Sequence, residues 1–108
     1  MATYLLEVSY TSAAMAALVA NPQDRTQVVS KAVKKLGGKV IGLWFAFGDS
    51  DVIGVVEMPD NAAMASFAMA IAAGGACSKV KTTALLSTAE ALAAMQKASS
   101  TGYKPVGS

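Results

Sequence analysis

Ionisable chemistry is scarce in this 108-residue sequence: seven acids, nine bases, one cysteine and no histidine. Without histidine there is no imidazole general base, no histidine metal ligand and no proximal histidine for haem iron. Cys77 follows Gly74-Gly75-Ala76. With no base beside it to generate thiolate, it reads as a small buried hydrophobe rather than a nucleophile. Asp49, Asp51 and Asp60 lack the ligand spacing of a calcium loop, and read as turn and helix-cap residues. Lys31, Lys34, Lys35 and Lys39 read as the solvated end of a helix, and the Gly37-Gly38 and Gly74-Gly75 pairs as helix stops. Met15, Met64, Met69 and Met95 fall at helical spacing and read as core or interface filler. The residues left with chemical potential are Glu7, Glu57, Lys79 and Lys81, with Trp44 as an apolar wall. Lysines that attract a small anion, and a partly desolvated glutamate with a raised pKa, are the parts of a binding pocket or a base-catalysed site.

All five sit on stretches that read as strands. Thr3 to Tyr10 alternates, with Tyr4, Leu6, Val8 and Tyr10 on the better apolar face and Leu5, Glu7 and Ser9 on the other. Lys39 to Phe47 and Val52 to Met58 flank Gly48-Asp49-Ser50-Asp51 and read as a hairpin. Ala76 to Leu85 reads as a fourth strand. Between them, Thr11 or Ser12 caps a helix to about Val19, stopped at Asn21-Pro22, and Asp24 caps Arg25 to Leu36. The stripe of that second helix is Val28, Val29, Ala32, Val33 and Leu36. Asp60 or Asn61 opens a helix to about Ala73 with Met64, Phe67, Ala68 and Ile71 as its buried stripe. Ser87-Thr88-Ala89-Glu90 has capping-box spacing and opens a last helix to about Ala98, with Leu92 and Met95 as its stripe. The order β-α-β-β-α-β with an extra C-terminal helix implies a ferredoxin-like α+β fold, one four-stranded antiparallel sheet in the order 4-1-3-2 and helices on one face. Residues 1–98 form one domain, and 99–108, rich in Ser, Thr, Gly and Pro, a loose or partner-bound tail.

The hairpin dominates the surface problem. Taking the turn at Gly48 to Asp51 pairs Phe47 with Val52, Trp44 with Val55 and Gly42 with Glu57. Ile41, Leu43, Phe45, Val52, Gly54 and Val56 then meet the helices. Val40, Trp44, Ala46, Ile53, Val55 and Glu57 lie on the open face, with Lys79, Lys81 and Thr83 from the fourth strand. A strand apolar on both faces must be covered on both, and a single domain of this length has helix for one side. With 54% hydrophobic and 15% charged residues, a second copy is the expected cover, giving a homodimer or larger symmetric oligomer. The net charge of +2 is dispersed, so no nucleic-acid surface is expected. The longest apolar run, Ala62 to Ala73, is too short to span a bilayer, and MATYLLEVSY lacks the form of a signal peptide. With one unpairable cysteine, the expected setting is the cytoplasm.

The segments MATYLLEVSYTSAAMAALVANPQDR and KLGGKVIGLWFAFGDSDVIGVVEMPDNAAMASFAMAIAAGGACSKVKTTALLS resemble the GYD domain family of small bacterial proteins over about Ala2 to Ala98. The family's turn tyrosine is missing here, and Ser50 replaces it. The resemblance implies a dimeric α/β-barrel type of assembly, two open sheets facing one another, and transfers no catalytic residue. The reading that follows is a small homo-oligomeric binding or structural protein. It has no cofactor and no metal, and its candidate ligand residues are Glu7, Trp44, Glu57, Lys79 and Lys81. Two alternatives stand beside it: a cofactor-free enzyme with Glu7 or Glu57 as base and a lysine holding an organic acid, and a ligand-sensing regulatory protein.

Overall fold

The structure, a computed structural model, describes residues 1–107. Along the chain it contains β1 (Ala2–Tyr10), α1 (Ser12–Ala20), α2 (Thr26–Lys35), β2 (Lys39–Phe45), β3 (Val52–Met58), α3 (Asn61–Ala73), β4 (Cys77–Leu85) and α4 (Thr88–Ala98). The strands form one antiparallel sheet in the order β2-β3-β1-β4. This is the ferredoxin-like α+β arrangement that the alternation of elements requires.

The core follows from the two periodicities. Tyr4, Leu6 and Val8 of β1, with Val52, Val56 and Met58 of β3, point to one face. There Val33 of α2 and Met64 and Phe67 of α3 close over them. The Tyr4 hydroxyl, at the buried end of this layer, donates to Asn61 Oδ1. Helix ends carry local signals. Thr11 accepts from the Ala14 amide and Asp60 from the Ala63 amide, while Gly37 (φ 83°) and Gly75 (φ 78°) take the left-handed conformation where α2 and α3 stop. Asp24 acts one residue earlier than a cap. Its Oδ1 accepts from both the amide and the hydroxyl of Thr26, while Arg25 occupies the cap position with no side-chain capping bond.

The hairpin departs from the expected register. β2 ends at Phe45, not Phe47, and the pairs are Phe45–Val52, Trp44–Ile53 and Gly42–Val55. The turn is longer than four residues because the Ala46 amide donates to the Asp51 carbonyl, so the loop closes outside Gly48. A slip of two residues keeps each side chain on its face. A bulge between Val40 and Gly42 does not. It returns Val40 to the core and leaves Ile41 exposed, the reverse of the sequence expectation. Phe45 lies opposite buried Val52 and is exposed.

The last helix also differs from expectation. α4 has its capping box, Ser87 Oγ accepting from the Glu90 amide and Glu90 returning a bond to the Ser87 amide, yet it buries none of its residues. Leu92 and Met95 face solvent, as do Met15 and Met69; of the four helical methionines singled out, only Met64 is core.

Candidate functional site

Register alone places the open-face residues. Across the sheet, Trp44, Ile53, Glu7 and Lys81 form one row. Toward the hairpin, Ser9 lies opposite Lys79. In the other direction come Gly42, Val55, Leu5 and Thr83, and two rows beyond Glu7 stand Glu57, Thr3 and Lys39. Glu7 and Glu57 are thus about 13 Å apart along the strand direction. Glu7, Lys81, Lys79 and Trp44 are brought into neighbouring rows, and Glu57 is not; its cross-strand neighbour is Lys39. The face is apolar toward β2 and β3 and ionic toward β1 and β4.

Trp44 has a specific seat. A Cβ on Gly42 would lie 2.2 Å from Cη2 of the indole, so the ring lies along β2 over the space that glycine leaves. Even so, Trp44 remains 55% exposed, beside Ile41 at 52%. A broad, half-ionic apolar face is left bare on the protomer.

The clefts of the protomer lie elsewhere, and of the five open-face candidates only Trp44 borders them. One cleft of about 590 Å³ is lined by Tyr10, Arg25, Val29, Leu43, Phe45 and Val52, among others. A second, of about 310 Å³, shares Tyr10, Arg25, Val29, Leu43 and Val52 with it and continues to Phe67, Ile71 and Cys77. Together they form a groove between α2 and α3 floored by the core face of the sheet. A third, apolar cleft separates α1 from the hairpin loop.

Titration at the groove's end follows from burial. Burial pushes the Tyr10 phenol above its ordinary value, with Cys77 and Asp51 adding to the rise and the nearby Arg25 guanidinium opposing it. Burial likewise raises the Cys77 thiol, and the charge of Asp51 adds to it. A thiol held protonated is a poor nucleophile. Asp51 is structural: its Oδ2 accepts the Tyr10 amide at 2.8 Å, and its own amide donates to the Val8 carbonyl. Among the described residues no three His, Cys, Asp or Glu side chains converge as a metal site, and no helix is long and apolar enough to cross a membrane. Tyr10 and Arg25 carried no functional signal in the sequence. Tyr10 reads as the last core residue of a strand, and Arg25 as a helix-start residue.

A four-stranded ferredoxin-like sheet with one helix-covered face and one open face defines the class. The family model for the GYD domain matches residues 4–95, and the chain belongs to that family. Ser50 is buried in the hairpin loop. No curated protein matches. Among solved structures, the crystal structure of MtbAldR is similar, with a TM-score of 0.56 and 17% identity over 80% of this chain and 52% of that one. The chain therefore spans about half the length of that structure, and the likeness is one of fold.

Proposed function

We propose that this GYD domain is a self-associating module whose copies close their open sheet faces on one another, in a cytoplasmic setting that its single unpaired cysteine suits. The observation that carries this reading is the open-face row that begins at exposed Trp44 and continues through half-buried Ile53. An indole seated on Gly42 and flanked by Ile53 and Val55 is a surface that water disfavours and a second sheet face would cover. The ionic half gives the assembly its orientation. Glu7 and Lys81 stand opposite each other, while Lys79 lies opposite Ser9 rather than an acid and is the cation that would meet a small anion enclosed between sheets. An Ile53→Lys substitution puts an ammonium in the middle of the apolar row. Light scattering of the wild type should give a multiple of the 10.9 kDa protomer mass, and of the variant the protomer mass itself. An unchanged mass in the variant would contradict the reading.

A further inference from the structure

We propose that the groove between α2 and α3 is a binding site for a small organic monocarboxylate with an apolar or aromatic body, its head held by Arg25 and Tyr10 and its body lying toward Phe67. This goes beyond self-association, since the groove lies on the helix side of the sheet and is formed within one protomer.

The size is right. A cleft of about 590 Å³ joined through shared walls to one of about 310 Å³ lies in the range of small-molecule sites. The walls divide by chemistry. Val29, Leu43, Val52, Phe67 and Ile71 give an apolar interior, and the polar groups gather at the mouth. Arg25 is exposed there, and among the described residues its one side-chain hydrogen bond runs from Nη1 to Gln23 Oε1 at 3.2 Å. The rest of its five-donor fork remains to grip a carboxylate. The Tyr10 phenol, protonated at neutral pH, lines the same cleft as a second donor.

The acids nearby set the charge the ligand carries. Asp24 lines the same mouth, but its Oδ1 is committed to the amide and hydroxyl of Thr26. Asp51 does not line the groove and its Oδ2 is committed to the Tyr10 amide. Neither competes for the guanidinium through these bonds, yet both repel a second negative charge. A monoanion, matched one-to-one by the guanidinium, is therefore the proposed ligand rather than a dianion.

The single cysteine makes the site directly readable, because Cys77 lines the inner end of the groove. Titrate the full chain with octanoate, phenylacetate, succinate and the neutral phenylacetamide, following backbone amide NMR shifts and the rate of Cys77 alkylation by iodoacetamide. Octanoate and phenylacetate should give saturable shifts at Tyr10, Thr26, Val29 and Val52 and slow the alkylation; phenylacetamide and succinate should bind at least about ten-fold more weakly. Arg25→Gln, a change at an exposed side chain, should weaken phenylacetate by a similar factor, and Tyr10→Phe by less. Shifts confined to Trp44, Ile53 and Lys79 would place the anion on the open face and overturn the groove site while leaving self-association intact. No saturable shift, or equal binding by Arg25→Gln, would overturn it as well.

Discussion

Trp44 and Gly42 act as one unit. A side chain at 42 and the indole cannot share the space, so Gly42→Val should lift the ring off β2, shift its emission and weaken self-association, all read from a single tryptophan. Gly38 is walled by backbone, since a Cβ there would meet the Glu57 carbonyl at 2.4 Å and Met58 Sδ at 2.5 Å. Gly38→Ala should lower stability by about 1–3 kcal/mol in chemical denaturation through overpacking. Asp51 joins the hairpin loop to the end of β1. Asp51→Ala orphans the Tyr10 amide and should cost about 1–3 kcal/mol. It also removes a negative charge that holds the Cys77 thiol up, so the midpoint of the thiol's pH–rate profile should move down while burial keeps it above the ordinary value. A thiol midpoint that stays put in this variant would contradict the placement of Asp51 beside the groove.

Elements with local signals were legible in advance, and those fixed by distant pairing were not. The alternation in β1, the Asp60 cap and the Ser87–Glu90 box each lie within a few residues, and each is present. The hairpin register depends on how a six-residue loop closes and on a bulge at Ile41. Neither leaves a pattern in a run apolar on both faces. For the same reason the open-face residues were legible as a set but the two-row separation of Glu57 from Glu7 was not, and the groove at Tyr10 and Arg25 was not legible at all. It is made by how far α2 and α3 stand apart, a tertiary property. α4 shows the converse: its cap is local and present, but its stripe finds no home in the protomer. An exposed helix of this length is marginal and leans on that cap. Bonds from Ser87 hold the Glu90 carboxyl below the usual glutamate range. A lowered native pKa means the cap's contribution is present above the ordinary value and is lost as pH falls through the lowered one. Cα shifts of residues 88–98 should therefore lose helical character on acidification, and Ser87→Ala should lose it at neutral pH while the thermal midpoint of the sheet stays put. A pH-independent α4 would contradict this.

At the scale of the whole molecule, one sheet serves two faces with separate tasks. The helix-side face makes the core and, where α2 and α3 part, the groove; among the described residues no helix covers the open face at Trp44. In the proposed assembly that face meets its own copy, and symmetry would bury Trp44 and its neighbours on both sides at once. Since Trp44 is the only tryptophan, its emission during serial dilution from millimolar to nanomolar protein tests this most directly. The account predicts a blue-shifted, quencher-protected indole at high concentration that turns red and accessible as the mass falls to 10.9 kDa. A red-shifted indole and a protomer mass across the whole range would contradict it.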